Sequence, residues 1–209
     1  MRAPVNLSKS VKLYLASSNP AKLDEFRELS RAEARSLRVE LDLLPGFASL
    51  PAFEENAPTF AENAAGKALH YSRLHDGLVF ADDSGLVVPA LGGAPGVHSA
   101  RYAGPNASSA ERNAKLLVAL QGKTGRDRRA SFVCAIALAK SGRALAVVTA
   151  RADGEILESA RGSGGFGYDP IFYFPLLAKS FAEIPRQEKN QHSHRGMAFR
   201  KLLHFLAEM

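Results

Sequence analysis

At 209 residues and 46% hydrophobic composition, the chain can bury a substantial core, either as one large domain or as one domain with two lobes. Its net charge of +6 suits an anionic partner, but the basic residues are scattered and not interleaved with aromatics, which argues against a nucleic-acid polymer. The single cysteine, Cys134, excludes an intrachain disulfide framework, and no apolar run has the length of a signal peptide or a bilayer span, so the expected setting is cytoplasmic, without a membrane partner.

In chain order, residues 1–10 read as a short polar N-terminal extension and 11–209 as a single domain. Residues 11–17 predict a strand, and 21–37 a helix with Leu23, Phe26, Leu29 and Ala34 near one face. Residues 39–44 predict a second strand, so the chain opens as a right-handed strand–helix–strand unit with parallel pairing. A Pro-containing connection over 45–58 carries the pair Glu54-Glu55. Thr59 with Glu62 three residues on is a capping-box pattern for a helix to about residue 74.

The run Phe80-Ala81-Asp82-Asp83-Ser84-Gly85-Leu86 reads as a buried strand over 79–81 that ends in two carboxylates and a turn. Unpaired buried charge is costly, so carboxylates there meet a metal, a cation or a proton to move. Adjacent strand residues point to opposite faces, so both acids serve one ion only if the strand has ended. Residues 109–121 predict a Ser-capped helix, 129–139 and 144–153 a hairpin, and 193–208 a last helix with Met197, Ala198, Leu202, Phe205 and Leu206 at core spacing. The interleaved pattern gives an α/β fold with a mixed sheet.

Two phosphate motifs fail on inspection. Gly122-Lys123-Thr124 lacks the upstream glycine of a Walker A loop, because Leu117 stands there. Gly162-Ser163-Gly164-Gly165-Phe166-Gly167 matches the dinucleotide fingerprint, but Tyr168-Asp169-Pro170 follows where a helix should start. Two polar clusters remain. Ser17-Ser18-Asn19-Pro20-Ala21-Lys22 sits between a strand and a helix start, where free amides and a lysine suit an anion. Lys189-Asn190-Gln191-His192-Ser193-His194-Arg195 puts cations and hydrogen-bonding groups at the entrance to the last helix.

Six segments occur together in order: Ser18-Asn19 with Lys22, Thr59-Phe60 through Lys67-Ala68, Ala81 to Leu86, Pro95-Gly96 with Ser99 to Gly104, Phe166 to Phe172, and Ser193-His194-Arg195. In this the chain resembles the Ham1, or inosine triphosphate pyrophosphatase, family over roughly residues 11 to 206. It departs at the N-terminal extension and at His98, where an aromatic ring is more usual.

The resemblance implies a twisted mixed sheet with flanking helices, and two lobes around a central cleft. It implies Mg2+-dependent hydrolysis of inosine, deoxyinosine or xanthosine triphosphate to the monophosphate and pyrophosphate, usually by a homodimer. Asp83 is the expected base and metal ligand, with Asp82 in support, and one of Glu54 and Glu55 binds the metal. Lys22 and Lys67 would hold phosphates beside Ser17, Ser18, Asn19, Pro20, Ala21 and Ser84. Phe166 would stack on the base, Gly167, Tyr168 and Asp169 would shape its pocket, and Lys189, His194 and Arg195 complete the substrate set, the last two reading the base. Two other readings stay open at this point: a Maf-like pyrophosphatase for other modified nucleotides, and a non-catalytic nucleotide- or RNA-binding protein.

Overall fold

The computed structural model describes residues 9–33 and 37–209; most of the expected N-terminal extension and the core position expected for Ala34 lie outside them. The opening unit is β1 (Lys9–Leu15), α1 (Pro20–Ala32) and β2 (Leu37–Leu43), with β1 and β2 parallel and in register from Lys9↔Leu37 to Leu15↔Leu43. The strand starts two residues earlier than expected, because Lys9 and Ser10 pair with Leu37 and Arg38. Leu23, Phe26 and Leu29 face the core as their spacing requires.

Next come α2 (Phe60–Ser72), β3 (Leu78–Val87), α3 (Ser109–Ala119), the hairpin β4 (Arg129–Lys140) and β5 (Arg143–Ile156), β6 (Phe172–Phe174), β7 (Lys179–Ser180), α4 (Arg186–His192) and α5 (His194–Glu208). The hairpin turns on Ser141 (φ 49°) and Gly142 (φ 72°), both left-handed, the backbone of a two-residue turn that matches the twist of its strands. Thr59 caps α2 by accepting from the Glu62 N–H, and Ser108 with Glu111 forms the full reciprocal box at α3.

The described residues form one open seven-stranded sheet in the order β2-β1-β3-β4-β5-β6-β7. Its pairs at β1 are parallel and the rest antiparallel, which makes the sheet mixed. The core divides into three clusters. Leu13, Leu15, Phe26, Phe80, Ile136, Phe199 and Leu202 fill one face under α1 and α5. Phe60, Ala64, Ala68, Val79, Ala81, Ala135 and Ala137 fill the other under α2, where alanines let the helix lie close to the strands. Leu86, Leu116, Phe132, Tyr168, Phe172 and Phe181 form the third, toward α3 and β6. Cys134 lies fully buried where burial pushes its thiol pKa up, so it is packing and no nucleophile.

One expectation is corrected. β3 does not end at Ala81 but continues through Asp82, Asp83, Ser84 and Gly85 to Val87, because β4 pairs along the whole of it, Val79↔Ala139 to Val87↔Ser131. The acidic pair therefore stands in mid-strand, at the joint where β3 passes from the first two clusters to the third. Gly85 is required there: a Cβ would meet Ser99 Oγ at 2.3 Å and the Gly96 carbonyl oxygen at 2.6 Å.

Candidate active site

β1 pairs with β3 only from Leu13↔Leu78 to Leu15↔Phe80. From Ala81 to Leu86 that edge of β3 has no strand partner among the described residues, and it adjoins the C-terminal end of a parallel strand, where open α/β sheets bind ligands. The edge groups of the even-numbered residues are met by other means. Lys67 Nζ donates to the Asp82 carbonyl (3.0 Å), the Ser84 N–H to its neighbour Asp83 Oδ1 (2.9 Å), and the Leu86 N–H to Ser99 Oγ (2.8 Å).

Because β3 is still a strand at this point, its two acids face opposite sides of the sheet. Asp82 points toward α1 and α5 and is 1% exposed. Lys22 Nζ lies 2.9 Å from its Oδ1 and Arg195 Nε 3.6 Å from its Oδ2. Burial alone would raise its pKa, yet Lys22, Arg195 and Lys67 hold it well below the ordinary carboxylate range. Arg195 is itself buried, with Nη1 2.8 Å from Glu25 Oε2 and Nη2 donating to Ser84 Oγ at 3.0 Å. Asp82 is therefore favoured as an anion, its Oδ1 bonded by Lys22 and its Oδ2 facing Arg195 without a hydrogen-bond partner among the described residues.

Asp83 points toward α2. Its Oδ2 accepts from Asn63 Nδ2 (3.0 Å), and it has no ion-pair partner among the described residues. Burial, reinforced by the nearby Glu55 charge, raises its pKa to about 6 against the pull of the Asn63 hydrogen bond. Such a carboxylate is poised to take a proton or a cation near neutral pH.

Glu55 arrives on a loop without regular structure, held by one stripe of α2 at helical spacing. Asn63 bonds both the N–H and the carbonyl of Ala57, Gly66 gives room to the Phe53 ring, Lys67 pairs with the Glu55 carboxylate, and His70 and Tyr71 bond the Pro51 carbonyl and the Phe53 N–H. Arg101 Nη2 adds a bond to the Glu55 carbonyl at 3.3 Å. The alternation of this stretch leaves Glu54 exposed, its carboxylate accepting from Asn56 Nδ2 at 2.8 Å. Of the two glutamates, Glu55 is the one brought to Asp83.

No group of three or more metal-ligating side chains clusters among the described residues. Two carboxylate oxygen donors, one of them desolvated and with no ion-pair partner among the described residues, nevertheless fit Mg2+, which takes one or two protein carboxylates and completes its shell with water and substrate phosphates.

On the Asp82 side a cavity of ≈ 710 Å³ opens between α1 and the segments 164–166 and 181–190, a volume usual for small-molecule sites. Phe166, 59% exposed, offers a ring face to it, and Phe181, Ile184 and Pro185 supply further apolar wall. Lys189 is the buried cation of the wall, paired with Asp169, which also accepts from the Phe166 N–H at 2.7 Å. Asn19 and Lys22 line the opposite side, so Lys22 is common to the cavity and to the Asp82 network.

The Ham1 family model matches residues 13–205. This chain belongs to the Ham1 family. It is 50% identical over 190 residues to a dITP/XTP pyrophosphatase of Geobacillus kaustophilus, covering 91% of each chain, and 44% identical over 201 residues to one of Coxiella burnetii, covering 95% of this chain and 98% of that one. Among solved structures it superposes on a Ham1 protein of Coxiella burnetii with a TM-score of 0.85 at 44% identity, covering 95% of this chain and all of the other. The Staphylococcus aureus Ham1 protein gives 0.82 at 38% identity, covering 93% and 97%.

The remaining positions expected from the Ham1 resemblance fall into two groups. Ser17 Oγ accepts from the Asn19 N–H (3.1 Å), Ser18 is exposed, and Pro20 and Ala21 open α1. Gly167, left-handed at φ 63°, presents its carbonyl to Asn113. The other group also carries structural contacts. Tyr168 belongs to the third core cluster with its hydroxyl on the Ser99 carbonyl, and Ser84 buttresses Arg195. His194 stacks on Phe132 at 4.8 Å, and burial holds its pKa well below the usual imidazole value. His194 and Arg195 do not line the cavity directly, but the Arg195 guanidinium, held by Asp82 and Glu25, lies over the Phe166 ring at 5.6 Å from its centroid. Glu25, a wall residue absent from the expectations, carries one signal in the sequence: it stands one helical turn after Lys22.

Proposed function

We propose that the protein hydrolyses noncanonical purine nucleoside triphosphates, those of inosine, deoxyinosine and xanthosine, to the monophosphate and pyrophosphate. The observation that carries this is a chain of contacts: a largely apolar cavity with the exposed Phe166 ring in its wall is joined through Lys22 to Asp82, whose carbonyl meets Lys67, the partner of Glu55 beside Asp83. A flat base suits its first part and a polyanion the rest. The name those relatives carry, dITP/XTP pyrophosphatase, supports the same reading.

In this reading the base packs on Phe166 and the triphosphate crosses the free edge of β3, with its charge met by Lys22 and Lys67. Asp83, as carboxylate, takes a proton from the water that attacks the α-phosphorus. The bond from that phosphorus to the bridging oxygen breaks, and pyrophosphate leaves with the electron pair. Glu55 and Asp83 would hold Mg2+, which when bound supplies positive charge to the phosphoryl oxygens. Lys189 is the donor at the base end: hypoxanthine and xanthine carry a carbonyl acceptor at position 6, where adenine carries an amino group.

The homodimer and the cytoplasmic setting that accompany the Ham1 resemblance are part of the proposal. Among the described residues no helix is long and apolar enough to cross a membrane. A panel of nucleoside triphosphates assayed for pyrophosphate, with Mg2+ and with chelator, tests the reading. Inosine and xanthosine triphosphates should turn over far faster than adenosine triphosphate, and only with the metal. Equal rates across the panel, or full activity in chelator, would contradict it.

A further inference from the structure

Asn63 sits inside α2 and is 1% exposed, a place where a polar side chain persists only when its hydrogen bonds are met. Its Oδ1 accepts from the Ala57 N–H at 2.9 Å, and its Nδ2 donates to Asp83 Oδ2 at 3.0 Å and to the Ala57 carbonyl at 3.4 Å. The partners fix the amide orientation. Turned over, its oxygen would face the Asp83 carboxylate and its NH2 the Ala57 N–H. One buried side chain thus joins the loop that carries Glu55 to the strand that carries Asp83.

Of the loop's anchors, Asn63 is the one that bonds the Asp83 carboxylate itself. Lys67, one turn along the same face, holds the Glu55 carboxylate and the Asp82 carbonyl; His70 and Tyr71 hold the loop's start. An apolar residue of similar size would fill the volume and leave the Ala57 peptide and Asp83 Oδ2 without their bonds, so packing does not explain the choice. We infer that Asn63 is a positioning residue of the reaction, setting the separation and orientation of Asp83 and Glu55 as a pair. This rests on the reading that these two carboxylates receive the divalent ion.

The test is Mn2+ binding to the purified protein alone, followed by water-proton relaxation, for wild type, Asn63→Ala, Asp83→Asn and the double variant. Partners that orient metal ligands typically contribute a factor of about 10 to 100 in affinity, so Asn63→Ala should weaken Mn2+ binding by roughly tenfold or more. In the Asp83→Asn background the same change should add almost nothing, because the two residues act as one unit. Wild-type affinity in Asn63→Ala, or the same loss in both backgrounds, would overturn the inference and leave Asn63 a structural clamp. Wild-type affinity in Asp83→Asn would instead overturn the carboxylate reading, and the inference with it. Asn63→Gln, which keeps donor and acceptor but shifts the amide by a methylene, serves if Asn63→Ala fails to fold. It too should lose affinity, and unchanged binding in the folded variant would count against the proposal.

Discussion

Asp82 and Asp83 are neighbours in sequence and opposites in chemistry. Asp82 is surrounded by Lys22, Arg195 and Lys67 and is favoured as an anion, whereas Asp83, desolvated and with no ion-pair partner among the described residues, has its pKa raised to about 6 despite the nearby Lys67 charge. Only the second can exchange a proton near neutral pH, so Asp83→Asn should cut turnover by roughly two to four orders of magnitude in a steady-state assay. The same raised pKa has a stability consequence. A carboxyl with a folded pKa above its unfolded one stabilises the fold below the unfolded pKa and loses that contribution as pH rises through about 6. In metal-free protein at pH 7.5, Asp83→Asn should therefore raise the free energy of unfolding by about 1–3 kcal/mol, with a smaller gain at pH 5, as read from denaturant titrations. Arg195 gives a contrasting prediction. Its removal strands Asp82 and Glu25, so Arg195→Ala should cost about 3–5 kcal/mol of stability and reduce turnover of inosine and adenosine triphosphates by the same factor. An unchanged melting temperature with loss on inosine triphosphate alone would return Arg195 to base reading. Glu25 was hidden in the sequence because an acid on an amphipathic helix reads as solvated surface until the arginine from α5, 170 residues away, is folded against it.

At the level of elements, β3 and α2 make the site. Local patterns sufficed for the strand–helix–strand opening, the Thr59 and Ser108 caps and the hairpin, because each is fixed by spacing within a few residues. The continuation of β3 was not legible. Asp-Asp-Ser-Gly has the composition of a turn, and it stays extended only because β4 pairs along it and Lys22, Arg195 and Lys67 converge from elsewhere in the chain. The seven-residue α4 and the three- and two-residue strands β6 and β7 are too short to show a period. The tight crossing of β3 by the 3-10 turn Gly96–Arg101 yields a further prediction. Gly85→Ala puts a methyl group into the Ser99 hydroxyl and the Gly96 backbone, so it should destabilise the protein by about 1–3 kcal/mol and lower activity through displacement of Asp83. Thermal melts and turnover at a temperature where the variant is folded check both parts.

For the molecule as a whole, the division of the core decides where chemistry can occur. Two clusters sandwich the sheet at β1, a third gathers at α3 and β6, and β3 bridges them with its edge unpaired at the acidic residues. The cavity beside Phe166 lies on the Asp82 side of that joint and the Asp83–Glu55 pair on the other, linked by Lys22, Asp82 and Lys67. In the proposed reading the base lies in the cavity and the phosphates at the carboxylates, so Asp83 would address the phosphorus nearest the sugar. Hydrolysis of inosine triphosphate in 18O-labelled water tests this most directly. The label should appear in the phosphate of inosine monophosphate, with unlabelled pyrophosphate as the other product. Label in pyrophosphate, or labelled orthophosphate as the first product, would place the attack at the β- or γ-phosphorus and contradict the assignment of Asp83.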